Sequence, residues 1–386
     1  LRTALLNDNR IEELSPALFK LPGKTQEGFD LGGNPVSSAD RERIKIHFNQ
    51  TGRDFGVLAE QADIQRLQRL YPLDQEEASA FIYRLPGTLV EGRIEITRLE
   101  TEYDTLRSVL AAWTADIPAL HPDTGEPFTP QQLLIEHATR DEFKQVVERC
   151  WRRETELDDF DQALEPSHEL TLTTIITGDL PELPADFSHV SLLYLHSDAG
   201  LTSGVEGFLR SFPQLKHLTI REYALHQIPE AVFTMGKLTS LSLSECDITL
   251  NTQSVLALAQ LDRLDYLDLS NNPLGLTPDV SQMPNLSSLH LPRTGITELP
   301  PGLLKLTSLD VAELSDNAIS HIPRDILELP LETAESINLR GNPLDAQSVQ
   351  TLIAYFKKTS IDFGVEAVIE QAELEVSSSG DSEPDE

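Results

Sequence analysis

The chain has 386 residues, with 63 acids against 30 Lys and Arg and a formal net charge of −33. That length points to two or more folding units. That charge repels phosphate backbones and anionic bilayers, so it argues against a nucleic-acid or membrane partner, and no run of about 18 apolar residues exists to span a bilayer.

The first element is a fragment of a repeat. Residues 6–57 align without a gap with residues 314–365. Identical pairs include Leu6/Leu314, Asn9/Asn317, Ile11/Ile319, Gly33/Gly341, Asn34/Asn342 and Phe48/Phe356, and Asp54-Phe55-Gly56-Val57 returns as Asp362-Phe363-Gly364-Val365. Each copy closes with Asn-Pro and a candidate helix. In the second copy that helix starts at Asp345 and carries the apolar stripe Val349, Leu352, Ile353 and Phe356. Such a helix covers the open end of a stack. Residues 1–57 therefore read as the final repeats and cap of an upstream array, and the start at Leu1 reads as a cut inside a longer protein.

Residues 58–165 lack the repeat pattern and read as a helical domain capping the second array. Leu99, Tyr103, Leu106, Leu110 and Trp113 fall at helical spacing. Thr129, Pro130 and Gln132 form a capping-box signature with Pro at the first helical position. Leu134, Phe143, Val146, Val147 and Cys150 are the expected buried stripe of that helix.

Residues 166–365 repeat Leu-x-x-Leu-x-Leu-x-x-Asn-x-Leu. The cleanest copy is Leu264, Leu267, Leu269, Asn272 and Leu274. The Asn slot is filled by Asp198, Tyr223, Cys246, Asn272, Thr294, Asn317 and Asn342, at steps of 22 to 26 residues, inside the range of about 20–29 for leucine-rich repeats. A weaker eighth unit precedes them at Leu170, Leu172 and Ile175. The expected fold is an α/β solenoid, a leucine-rich-repeat horseshoe with a parallel concave sheet, preceded by an all-helical insert and the end of an earlier array. The Leu-x-Leu alternation buries one face of a short strand, and the Asn turns inward to satisfy turn backbone. Tyr223 and Thr294 depart from the slot and predict irregular ladders there. Pro-led return segments, such as those at Pro229 and Pro323, predict short helical or 3₁₀ pieces. Residues 366–386 hold eight acids and no base and read as a disordered acidic tail.

Outward strand positions alternate with the buried leucines and form three columns. The middle one reads Tyr194, Thr219, Ser242, Asp268, His290, Glu313 and Asn338, flanked by His196, Arg221, Ser244, Ser270 and Arg340 on one side and by His217, Ser240 and Tyr266 on the other. One reading is a solvated, small-polar face. The other is a groove for a protein target, with candidate contacts Tyr194, His196, His217, Arg221, Tyr266, Asp268, His290, Glu313 and Arg340, because aromatics and Arg are enriched at binding hot spots.

Chemistry has no comparable signal. There is no phosphate-cradling Gly loop, HExxH or paired CxxC, and the ten His lack metal spacing. Cys150 reads as core and Cys246 as a filled repeat slot. No catalytic, metal or cofactor residue is assigned, and the segment is expected to be a monomer.

The two arrays, the stretches "RLETEYDTLRSVLAAW" and "CWRRETE", and the duplicated "DFGV" resemble large secreted bacterial effectors that carry leucine-rich repeats before a C-terminal NEL-type ubiquitin-ligase domain. The resemblance implies that the repeats select the ligase's target, and that the protein is secreted or delivered to host cytoplasm. It implies a catalytic Cys-x-Asp motif, which this chain lacks: Cys150 precedes Trp151-Arg152 and Cys246 precedes Asp247-Ile248. The ligase domain would lie beyond Glu386. The alternative is a stand-alone repeat scaffold, cytoplasmic and without an enzyme.

Overall fold

The computed structural model describes residues 3–122, 124–158, 167–173, 175–197 and 202–379. The chain forms two compact units. One is Leu1–Ser108 with Trp151–Glu154, the other Val109–Cys150 with Thr155–Glu386. The division therefore falls within residues 58–165, and each unit takes part of that helical stretch.

In the first unit, β1 (Ala4–Leu5) pairs in parallel with β2 (Phe29–Asp30). Asn34 sits in the slot after β2 and ties the two turns together. Its Oδ1 accepts from the N–H groups of Asn9 and Ile11, both at 3.1 Å. The helix Ser38–Thr51 follows, with the Ser37 side chain capping it by accepting from the Asp40 N–H. Lys45 on this helix is 1% exposed and donates to the carbonyls of Ile82, Tyr83 and Leu85. It thereby joins the Leu85 N–H, which also donates to Ile82, and Asn49 Nδ2, which also donates to Tyr83, in satisfying the carbonyls at the end of the helix Gln75–Arg84. The Tyr83 hydroxyl returns the link by donating to the Val57 carbonyl at 2.9 Å. The Trp151 ring stacks on Tyr71 and Tyr103, at 5.4 and 4.8 Å between centroids.

The second unit carries an eight-stranded parallel sheet in chain order. Its strands are β3 (His168–Thr173), β4 (Val190–His196), β5 (His217–Arg221), β6 (Ser240–Ser244), β7 (Tyr266–Asp268), β8 (Ser288–His290), β9 (Val311–Glu313) and β10 (Ile337–Asn338). Leucines stack on leucines across it: Leu193, Leu218, Leu241, Leu267 and Leu289 are direct partners, and none is measurably exposed. Each such burial stabilises by roughly 1.5–3 kcal/mol. No single turn closes its own core, so stability is shared between neighbours.

The Asn slots hold the turns together. Asn272 Oδ1 accepts from the N–H groups of Cys246 and Ile248, one turn back, while its Nδ2 donates to the Leu243 and Leu269 carbonyls. Asn317 does the same for Thr294 and Gly295. The strand register stays unbroken beside Tyr223 and Thr294, contrary to the irregularity expected there. Thr294 Oγ1 replaces one Asn function by donating to the Leu291 carbonyl at 3.0 Å, and Tyr223 fills its slot as a buried ring. Asp198 lies outside the described residues. The eighth turn exists as β3, with Leu170 and Leu172 buried. Its inward residue after the strand is Ile176, not Ile175, which is exposed.

The helix Pro130–Trp151 shows the predicted capping box. Thr129 N–H donates to Gln132 Oε1 at 2.9 Å, and Gln132 N–H donates back to Thr129 Oγ1. Its buried stripe differs from expectation. Phe143, Val147 and Cys150 are buried and Val146 half-buried, but Leu134 is 71% exposed. The inward positions of the first turns belong to Glu136 and Arg140 instead. Arg140 Nε donates to Glu136 Oε1 at 2.7 Å, its other nitrogens donate to the carbonyls of Trp113, Asp116 and Thr177, and Glu136 accepts the Thr177 N–H. The pair ties both helical pieces of this unit to the loop after β3.

At the far end the helix Ala346–Thr359 is capped by Asp345, as read. Its stripe is Val349, Leu352, Ile353 and Tyr355, whose hydroxyl donates to the Leu329 carbonyl at 3.0 Å, while Phe356 is half-buried. The stretch read as a disordered tail is a helix over Glu366–Ser379. Val365 and Ile369 are buried, and Lys357 meets Glu373 at 3.1 Å. Acidic composition hid an apolar contact that one helical turn suffices to make. Residues 380–386 lie outside the described residues.

Candidate protein-binding face

Pleating places every second strand residue outward, and the unbroken register lines those residues up. Tyr194, Thr219, Ser242, Asp268, His290, Glu313 and Asn338 are successive direct partners across seven strands. Beside them run His196, Arg221 and Ser244, and on the other side Leu192, His217, Ser240, Tyr266, Ser288 and Val311. Eight of the nine candidate contacts thus stand on one sheet face. Arg340 follows two residues after β10 and is exposed, with its N–H donating to Asn338 Oδ1 at 3.1 Å.

The face is organised by contacts within and between turns. The Tyr194 and His196 rings meet at 6.2 Å, and the Tyr266 and His290 rings, from adjacent strands, at 5.3 Å. Burial, then the nearby Asp268 carboxylate, holds the Tyr266 hydroxyl above its ordinary pKa. Arg221 reaches Glu245 at 3.0 Å and Glu222 at 3.4 Å, and His196 lies 3.2 Å from the same Glu222. Asp268 accepts from the Ser242 hydroxyl at 3.0 Å and from the Ser270 N–H at 2.9 Å. Asn338 donates to both Glu313 oxygens. These contacts orient Arg221, Asp268 and Glu313 on the face, which lowers the ordering cost of binding.

Sequence reasoning missed Glu222 and Glu245. They occupy the position just before the Asn slot, where the chain leaves the strand. Glu222, Glu245, Asn271, Arg293 and Asp316 all adopt left-handed φ there, between 53° and 60°, and Gly341 does so in the last turn. Non-Gly residues seldom take that conformation. The available signal was the Gly at this position in both terminal copies, Gly33 and Gly341.

The two cysteines are buried, and burial pushes each thiol up to about 12. Cys246 Sγ lies 3.4 Å from the Ile220 carbonyl and 3.2 Å from the Ser244 carbonyl and donates its one hydrogen in that space, where the slot Asn places its Nδ2. Among the described residues no group of three or more His, Cys, Asp or Glu could hold a metal ion, and no helix is long and apolar enough to cross a membrane. A thiol titrating near 12 is about one part in 10⁴ thiolate at pH 8. We expect neither cysteine to react with iodoacetamide at pH 8 in the folded protein, and both to react in urea. Mass spectrometry of the adducts checks this, and rapid labelling of folded Cys150 or Cys246 would show the burial to be wrong.

The sheet, its one-face leucine stacking and its Asn bridges recur turn after turn, and a model described as Leucine Rich Repeat matches residues 263–283, the turn that contains β7. The chain has the leucine-rich-repeat fold. Its sequence is 29% identical over 191 residues to transforming growth factor beta activator LRRC33 of Danio rerio, covering 45% of this chain and 27% of that protein. It is 41% identical over 73 residues to leucine-rich repeat and IQ domain-containing protein 4 of Mus musculus, covering 18% of this chain and 12% of that one. The chain thus spans less than a third of the length of either relative. Among solved structures, internalin C2 of Listeria monocytogenes aligns at TM-score 0.38 and 16% identity, over 63% of this chain and 86% of the internalin.

Proposed function

We propose that this chain is a recognition module whose concave sheet face binds a protein partner. The observation that carries the reading is the in-register face itself, with Tyr194, Tyr266 and His290 set among charges oriented by Glu222, Glu245, Ser242 and Asn338. Rigid aromatics beside oriented polar groups are what hot spots require. The finer form of the proposal is that the module selects the target of a bacterial ubiquitin-ligase effector acting in host cytoplasm. It is supported by the repeat–helix–repeat order and the duplicated "DFGV" ends, and it needs a Cys-x-Asp motif in a helical domain elsewhere in the natural protein.

The combined substitution of Tyr194, Arg221 and Tyr266 by Ala is expected to weaken capture of host or bacterial proteins by 10-fold or more, since a hot-spot residue contributes about 2 kcal/mol. A control at Glu230, Arg324 and Glu328, on the return segments, is expected to leave capture unchanged. Quantitative pull-down from both lysates reads the difference. Equal capture by all three proteins removes the concave face from the account.

A further inference from the structure

The concave face answers its two signs of charge differently. Arg221 is met by Glu245 and Glu222, His196 by the same Glu222, and Arg293 by Asp316 at 3.6 Å. Asp268 and Glu313 have no such counterpart. Asp268 accepts from the Ser242 hydroxyl and from the N–H and hydroxyl of Ser270. Glu313 accepts from the Ser315 N–H and the Asn338 amide. These donors are all neutral, and among the described residues neither carboxylate forms an ion pair. Arg340, one turn beyond Glu313, also forms none among the described residues and marks where this negative stretch ends.

An aromatic pair borders the two carboxylates. Asp268, His290 and Glu313 are successive partners on β7, β8 and β9, so the acids stand two strands apart, roughly 10 Å. The His290 ring between them meets Tyr266 at 5.3 Å. Tyr266 itself pairs across the sheet with Ser240 and Ser288, whose small side chains leave room beside the ring. Tyr266, Asp268, His290 and Glu313 are all half-buried. A partner seated here strips their remaining water. An apolar or acidic surface would leave each carboxylate without solvent or counter-ion, which is strongly unfavourable. A guanidinium or ammonium offsets that loss, and a ring beside it adds cation–π attraction. The net charge of −33 acts in the same direction at longer range, drawing basic partners and repelling acidic ones.

We infer that the protein bound by this face presents a basic segment, with an Arg or Lys seated beside Tyr266 and His290 and paired with Asp268 and Glu313. The inference rests on the concave-face reading proposed above and adds the chemistry of the partner to it.

The probe is a fluorescent peptide of alternating Arg and Ser, with a second peptide carrying Glu in place of Arg. The double variant Asp268→Asn with Glu313→Gln keeps side-chain shape and an acceptor oxygen at both positions. It is expected to bind the Arg peptide at least ~10-fold more weakly than the original chain in fluorescence anisotropy. Glu230→Gln with Glu328→Gln removes as much charge from the exposed return segments. It is expected to change binding by less than ~2-fold at physiological salt, where distant charges are screened. No binding of the Arg peptide, equal weakening by the two double variants, or tighter binding of the Glu peptide overturns the proposal. Capture of lysate proteins separates its failure from that of the concave face. Capture lost on changing Tyr194, Arg221 and Tyr266 to Ala, but full in Asp268→Asn with Glu313→Gln, keeps the face and overturns the basic partner. Full capture by both removes the face as well.

Discussion

Arg140→Met is expected to destabilise the second unit by about 3–5 kcal/mol, the cost of leaving a buried charge without its partner. Arg140 and Glu136 are 2% and 4% exposed. Removing the guanidinium strands the Glu136 carboxylate in apolar surroundings and orphans the Trp113, Asp116 and Thr177 carbonyls. The paired change Glu136→Leu with Arg140→Met removes the charge altogether and is expected to recover at least half of the loss, because well-packed apolar pairs replace buried ion pairs at little cost. Urea unfolding followed by Trp113 fluorescence in a Trp151→Phe background reads this unit, since the Arg140 guanidinium lies 4.5 Å from the Trp113 ring. A single-variant loss below about 1 kcal/mol means that the pair is wet, and the packing described here is wrong.

The second large effect concerns the slot residues. Asn272→Ala removes the acceptor of two buried N–H groups, on Cys246 and Ile248, and the donor to two carbonyls. Each buried group left unsatisfied costs about 1–3 kcal/mol, so the variant is expected to lose about 3–5 kcal/mol in the same urea experiment. Thr294→Ala removes a shorter reach, to Leu291 and Asn317, and is expected to cost about 1 kcal/mol. Equal losses at the two positions would contradict the bridging role of Asn. The gradient matters because it explains how Tyr223, Cys246 and Thr294 fill slots without breaking the strand register.

Much of this architecture is legible in the residues. Period-two leucines decide which side of a strand is buried, so the alignment of Leu241, Leu267 and Leu289 and the outward columns follow directly from spacing. Asp345 before Ser348, and Thr129 before Gln132, mark helix starts because each offers an acceptor to a donor that the helix leaves open. What escapes is whatever depends on a neighbour distant in sequence. Glu136 and Arg140, four apart on a helix, have the pattern of a surface pair, and only the Thr177 loop makes them interior. Leu134 has the pattern of a core residue and is exposed because that turn's inward side is taken by Glu136. The apolar spacing of Val365 and Ile369 is outweighed in composition by the acids around it. On the face, column membership is readable, but the partners of Arg221 and Asp268 are set by left-handed residues and adjacent turns.

The partner-binding role of the concave face is open to direct measurement by photocrosslinking. A benzophenone side chain is placed at Ser288, on the outward face of β8, or at Leu256, which is 63% exposed on the helix Thr252–Leu258 of a return segment. Irradiation in lysates that contain the captured protein is expected to yield a covalent partner band from position 288 and none from 256. A band from 256 alone, or bands of equal strength from both, contradicts a partner seated on the sheet.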